Sequence, residues 1–218
     1  MHSDRRRSRL LTSTGLLAIG LALALPAASM AALITVGALG KAARISEPRP
    51  VDTAFWLTSR AGGKSGAMPA SGLVRVIRLR GCARPGPNGQ PPLTQIHFQT
   101  LVPGAGGSVT VKVTSGPLNV PVCGSGATPR TVTTFVPGNL CAGKGDFVAF
   151  NVEGGFGPGF PGGVSYEVFG RAAGAVTDSF TRAGATNNGD TLTGSAHAGV
   201  RLLMQIVLGT RRNAGVCR

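Results

Sequence analysis

The residues that could do chemistry in this chain are few, and their types limit what that chemistry is. Beyond the first 31 residues the acids are Glu47, Asp52, Asp146, Glu153, Glu167, Asp178 and Asp190. Hydrolysis by paired carboxylates needs two acids across a scissile bond, and Asp146 with Glu153 is the pair that offers itself for a hydrolase. Asp146 follows Gly145 and Glu153 precedes Gly154 and Gly155, so a turn residue and a strand end explain them more simply. A nucleophilic triad would need Ser, His and an acid. The histidines past the N-terminus are His97 and His197, and no Gly-x-Ser-x-Gly elbow leads into a helix. Two isolated histidines make poor zinc ligands without a third donor. Asn187, Asn188 and Asp190 could offer oxygens to Ca²⁺, but one acid supplies little charge, and an Asn-Gly turn explains the same residues. The glycine-rich stretch 154–163 lacks the Gly-Lys-Ser/Thr ending of a phosphate loop. No cofactor is expected.

Binding fits the composition better than catalysis. Gln95, His97 and Gln99 share one face of an expected strand and could hydrogen-bond a glycan, with Trp56, Phe156, Phe160 or Tyr166 stacking on sugar rings. Aromatics make up 5% of the chain, which argues against strong carbohydrate binding. The other binding chemistry is electrostatic. The formal net charge is +14, and setting aside Arg5, Arg6, Arg7 and Arg9 with Asp4 leaves about +11 on the remainder. Arg75, Arg78, Arg80, Arg201, Arg211 and Arg212 form the expected basic patch, suited to anionic surfaces such as envelope polymers. No motif for specific nucleic-acid recognition accompanies it.

The elements that must position these residues begin after an export signal. Four arginines in the first nine residues precede residues 10–40, which carry no charge. The leucine-rich core from Leu16 to Leu25, ended by Pro26 and followed by small residues, reads as a signal peptide cleaved after Ser29 or Ala31. The rival reading is a membrane anchor reaching to about residue 40, since the run exceeds the roughly 20 residues a spanning helix needs. Either reading places the body outside the cytoplasm. An even count of four cysteines, Cys82, Cys123, Cys141 and Cys217, then reads as two disulfides. No Cys-x-x-Cys spacing supports a metal site instead.

Residues 32–72 read as linker-like, with Pro48, Pro50 and the Gly62–Gly66 region as breakers. Within them Ala54, Phe55, Trp56 and Leu57 form a short apolar knot expected to dock on the domain. Residues 73–218 read as the domain proper. Strands are expected at 73–80, with a bulge between Val76 and Ile77, then at 94–100, 108–114, 131–136, 147–152, 164–169, 175–181 and 200–208. In the fifth of these, Val148, Phe150 and Val152 face one side and Phe147, Ala149 and Asn151 the other, as in a strand covered on both sides. The expected fold is all-β: an antiparallel β-sandwich of about eight strands, Greek-key or jelly-roll-like, preceded by an N-terminal hydrophobic helix. If each strand reverses its predecessor, Cys82 and Cys123 share one end and Cys141 and Cys217 the other. That favours Cys82–Cys123 and Cys141–Cys217 among three pairings, and an added strand at residues 191–193 would break the argument.

Several motifs carry a resemblance. Asn139-Leu140-Cys141, Lys144-Gly145-Asp146-Phe147-Val148, Gln95-Ile96-His97-Phe98, Asn187-Asn188-Gly189 and Leu202-Leu203-Met204-Gln205 resemble those of a set of uncharacterised secreted proteins of soil actinobacteria. The resemblance covers roughly residues 73–217. It implies a secreted β-sandwich and carries no activity that could be transferred. The expectation is therefore an exported, non-catalytic β-sandwich with a structural or surface-interaction role. A carbohydrate-binding module is the alternative and a hydrolase using Asp146 and Glu153 the third reading.

Overall fold

In the computed structural model of the chain, the described residues are 32–49, 52–85, 89, 91–152, 164–182, 184–210 and 217, with residues 46–49 and 164–167 described by their backbone. The expected signal peptide or hydrophobic helix at 1–31 lies outside them, as does the glycine-rich stretch 154–163. No described helix is long and apolar enough to cross a membrane.

The described residues form strands and no α-helix; a 3-10 turn at Ala105–Gly107 is the nearest approach to one. The strands are β1 (Leu33–Gly37), β2 (Ile45–Arg49), β3 (Asp52–Arg60), β4 (Lys64–Ser65), β5 (Gly72–Arg80), β6 (Cys82–Arg84), β7 (Gln95–Pro103), β8 (Ser108–Thr114), β9 (Leu118–Asn119), β10 (Val132–Phe135), β11 (Cys141–Ala142), β12 (Phe147–Asn151), β13 (Val164–Arg182), β14 (Thr191–Thr193), β15 (Ser195–Leu202) and β16 (Met204–Gly209). They pair antiparallel into two sheets. The smaller runs β1-β16-β5-β10, with β11 also on β5. The larger runs β14-β8-β7-β12-β3-β13-β15, with β2 and β6 on β13, β4 on β3 and β9 on β7.

Period-two alternation decides which side chains meet. The main core lies between the sheets. Phe55 and Leu57 of β3, Ile96 and Phe98 of β7 and Val148 and Phe150 of β12 point from the large sheet toward Val74, Ile77, Ile206 and Leu208 of the small one. Phe55 meets Phe169 edge-on at 4.9 Å and Phe98 meets Phe135 at 5.4 Å. Such aromatic pairs contribute about 0.5–1.5 kcal/mol beyond their burial. The intervening residues of the same strands build a second core on the large sheet's far face, where Ala54, Trp56, Leu101, Val111, Ala149 and Phe180 pack together.

The far face can bury apolar groups because the sheet rolls up. Its two end strands, β14 and β15, are joined by the single residue Gly194. Gly194 sits against the indole: a Cβ there would lie 2.9 Å from Trp56 Cζ2. Gly194 N–H donates to the Gly107 carbonyl, which pins this closing corner to the entry of β8.

Four differences from the sequence reading have physical causes. First, residues 32–72 are not a linker. They supply β1 to β4, and β3 is internal to the large sheet, between β12 and β13. Pro48 suggested a break, yet it lies in β2, which pairs with β13 alone, where a missing N–H is tolerated. The anchor reading to about residue 40 fails for Leu33–Gly37, which pairs with β16. Second, 164–169 and 175–181 are one 19-residue strand, kept continuous by irregularities in pairing between Arg171 and Val176. Third, 200–208 is cut at Leu203, where the chain leaves the large sheet for the small one. Fourth, the bulge in β5 comes earlier than Val76–Ile77. Val76 opposes Val207 and Val74 opposes Leu208, which leaves Arg75 as the extra residue.

Both disulfides form, Cys82–Cys123 and Cys141–Cys217, with Cα separations of 5.1 and 5.5 Å. This is the pairing favoured by strand parity, although Thr191–Thr193 is a strand after all and the strand count differs from eight. For Cys82–Cys123 a backbone bridge supplies the cause. Ala83 bridges directly to Val122, which brings Cys82 beside Cys123.

Candidate functional site

The most elaborate polar arrangement is centred on a residue in the segment that reads as a linker. Asp52 opens β3 and is fully buried. Its Oδ1 accepts a hydrogen bond from Asn151 Nδ2 at 2.6 Å, and its Oδ2 accepts from the Thr186 N–H at 2.6 Å and the Thr186 hydroxyl at 2.8 Å. Thr186 Oγ1 also accepts from Gln99 Nε2 at 2.9 Å, and the same amide reaches Thr114 Oγ1 at 3.2 Å. Asp52 thus ties β3 and β12 to the segment 184–190, and Gln99 adds β7. A buried carboxylate with three donors is a clamp: each charge-assisted bond contributes about 1.5–3 kcal/mol. It holds the crossing segment down on the rolled face. Gln99 Oε1 and Asn151 Oδ1 are buried in the same region without a hydrogen-bond partner.

A second arrangement brings together residues that the triad search considered apart. Ser179 of β13 and His197 of β15 lie on paired strands, and Ser179 Oγ is 2.9 Å from His197 Nε2. Only the register, Thr177 opposite His197, makes them neighbours. Asp178 is the adjacent acid, but successive strand residues point to opposite faces. Its Oδ1 accepts from the Thr58 hydroxyl at 3.2 Å on β3. Burial raises its carboxyl above the ordinary value of 3.8, against the lowering pull of the Thr58 bond and the His197 charge. This is a Ser–His pair whose neighbouring acid is turned away, and among the described residues no carboxylate is hydrogen-bonded to the imidazole as the orienting member of a triad would be.

The remaining described carboxylates are also engaged. Asp146 Oδ2 accepts from Gly143 N–H at 2.6 Å and pairs with Lys112 Nζ at 3.2 Å, which makes it the turn residue before β12. Asp190 Oδ2 accepts from Asn187 N–H at 2.7 Å and pairs with Arg182. The Asn187–Asp190 turn is therefore closed on itself, with the would-be calcium oxygen taken by a guanidinium. Among the described residues no three His, Cys, Asp or Glu side chains gather as a metal site would require.

The small sheet's outer surface has the opposite character. Arg75 and Arg78 are exposed on β5. Arg78 Nη1 donates to Gln205 Oε1 at 2.9 Å, and Arg80 Nη1 donates to the Arg130 carbonyl at 2.6 Å. The described carboxylate side chains, Asp52, Asp146, Asp178 and Asp190, belong to the large sheet and its connections, and among the described residues Arg78 and Arg80 donate to neutral oxygens.

No family model, curated protein or solved structure matches this chain. Its geometry alone carries the function from here.

The structure separates the expected site residues into three groups. His97 and Gln99 do lie on one face of β7, but that face is roofed: they are 8% and 1% exposed. His97 Nδ1 donates to the Ser115 carbonyl at 2.9 Å. Gln95 is exposed at the start of β7. Trp56 is 0% exposed, so it packs as core rather than offering a stacking platform. Phe156, Phe160, Glu153, Arg211 and Arg212 lie outside the described residues, and Tyr166 is placed by its backbone in β13. Arg201 sits apart from Arg75 and Arg78, on β15. Sequence reasoning missed Asp52 altogether. A lone acid heading an apolar run was the available signal, and its partner Thr186 is 134 positions away.

Proposed function

We propose that this protein is an exported, non-catalytic β-sandwich that adheres through its arginine-bearing surface to anionic polymer of the cell envelope. One observation carries the reading: the described acid side chains are engaged on the large sheet and its connections, while Arg75 and Arg78 face solvent on the small sheet and pair with no carboxylate among the described residues. A surface of one charge sign attracts polyanions over about a Debye length. The two disulfides are compatible with an oxidising exterior, and the N-terminal sequence is that of an export signal. The likeness to secreted actinobacterial proteins belongs to the same proposal. Cleavage after Ala31 would leave Ala32 at the head of the body, where its carbonyl accepts the Thr210 N–H at 3.1 Å.

The test is retention on an immobilised anionic polymer. The protein with intact disulfides should bind at low ionic strength and elute as salt rises. The double change Arg75→Gln with Arg78→Gln should elute at clearly lower salt with an unchanged melting temperature. Flow-through at low salt, or retention on a neutral glycan that salt does not alter, would overturn the reading.

A further inference from the structure

A second basic feature is concave rather than flat. Lys41, Arg44, Arg171 and Arg201 line a cleft of about 440 Å³ together with Ile45 and Leu203. Its described lining contains no acid. The cleft lies where the chain turns the corner between β15 and β16.

Its walls are fixed. The connection from β1 to β2 crosses the corner and is pinned by two backbone bonds, Ala43 N–H to the Pro129 carbonyl at 2.8 Å and Arg44 N–H to the Phe169 carbonyl at 2.9 Å. Ala43 is buried. Lys41 and Arg44 therefore project from an anchored segment. On the opposite wall Arg201 is paired across the strands with Gly170. Its guanidinium lies against Gly40, where a Cβ would collide with it, and Gly40 also holds a positive φ of 65°. Arg201 Nε is buried without a hydrogen-bond partner. An unpaired buried donor is unfavourable, and like charges around one cleft repel. An anion bearing more than one negative charge, bound in the cleft, relieves that repulsion.

We propose that this cleft binds a phosphoryl group carried on a polyol or sugar. A guanidinium fork matches phosphate oxygens two at a time, and the lysine adds a point charge. A phosphomonoester brings close to two charges where a carboxylate brings one. The volume lies in the range of small-molecule sites, about 300–1,000 Å³, so it has room for more than the phosphoryl group alone. The inference deepens the proposed function and rests on it for the class of partner: it marks the point at which a phosphate-bearing partner is recognised rather than merely attracted. The phosphoryl group could belong to a polymer end or to a free polyol phosphate.

The experiment is calorimetric titration of the disulfide-intact protein with glycerol phosphate, with glycerate as the carboxylate control, at about 150 mM salt, where exposed pairs are screened. Glycerol phosphate should saturate at one per chain and bind about tenfold or more tightly than glycerate. Arg201→Gln and Arg171→Gln should each weaken it by about tenfold, Arg201→Lys should restore part of the loss, and Lys144→Gln, at an exposed turn away from the cleft, should change nothing. Arg171 is exposed, so its variant keeps the test meaningful if Arg201→Gln fails to fold. Equal affinity for glycerate, an equal loss in Lys144→Gln or no saturable binding would overturn the site. Displacement of glycerol phosphate by poly(glycerol phosphate) identifies the polymer as its source; binding of both together identifies the free compound, and either result supports the site. Retention on the polymer without glycerol phosphate binding sinks the cleft and spares the adhesion reading. Glycerol phosphate binding without retention does the reverse.

Discussion

The two outer faces of this sandwich-like molecule are built on the same alternation and end in opposite states. The large sheet rolls until β14 and β15 meet at Gly194, and its far face closes over Trp56 and Phe180, with Asp52 tying down the crossing segment. On the small sheet, β5 presents Arg78 and the bulged Arg75 to water. The difference shows how a chain with few acids spends them. Each described carboxylate side chain is engaged on the large sheet or its connections, while Arg75 and Arg78 are exposed on the small one.

The comparison can be broken most forcefully at the clamp. Asp52→Ala leaves the Thr186 N–H and the Asn151 amide without their acceptor and should destabilise the fold by about 3–5 kcal/mol. Denaturant unfolding measures it, and a loss below about 1 kcal/mol would mean that the segment 184–190 is held by something else. Gly194→Ala tests the closure itself. Its Cβ would stand 2.9 Å from the indole, and forcing it in should lower stability by about 1–3 kcal/mol and shift the Trp56 fluorescence. An unchanged melting temperature and spectrum would show that the roll is loose.

Asp178 sharpens the contrast with a change in the other direction. Burial raises its carboxyl above 3.8 in the folded state, so folding takes up a proton here. The stabilisation from that proton is complete below the unfolded value and is lost as pH rises through the folded one. At neutral pH the ionised carboxylate therefore opposes folding. Asp178→Asn, which retains an acceptor for Thr58, should raise the melting temperature at pH 7 and give no gain near pH 3. A drop at pH 7 would show that the charge, held by Thr58 and His197, favours the fold. On the open face, Arg78→Gln should move stability by less than about 0.5 kcal/mol while weakening polymer retention. A larger loss would make the small sheet's arginines structural.

How much of this was legible in the sequence depended on distance along the chain. Val109, Val111 and Val113 mark β8 by strict alternation, and Phe147–Asn151 is apolar on both sides because it lies between β7 and β3 under two cores. Asp146 was readable as a turn residue because its partner Gly143 is three positions away. Asp52 was not, since a lone acid ahead of Thr53 and Ala54 looks the same whether it caps a linker or meets Thr186 across the molecule. The run Ala54-Phe55-Trp56-Leu57 lacks alternation because both of its faces are buried, so it resembled a docking knot rather than an internal strand. Ser179 and His197 become neighbours through register alone, which single-strand patterns do not carry. Four basic residues around one cleft were equally hidden, because Lys41 and Arg201 meet across a corner made by strands from opposite ends of the chain.

The order of the small sheet, β1-β16-β5-β10, carries a consequence for biogenesis. Its first strand and its fifth are not neighbours: β16, the last described strand, stands between them and pairs with both. Until residues 204–209 have been delivered, β1 has no partner in that sheet and Val74, Ile77 and Val36 have no common wall. Such long-range pairing is slow to form and leaves apolar strand surface exposed meanwhile. The topology therefore keeps the small sheet of an emerging chain unfinished until residues 204–209 are made.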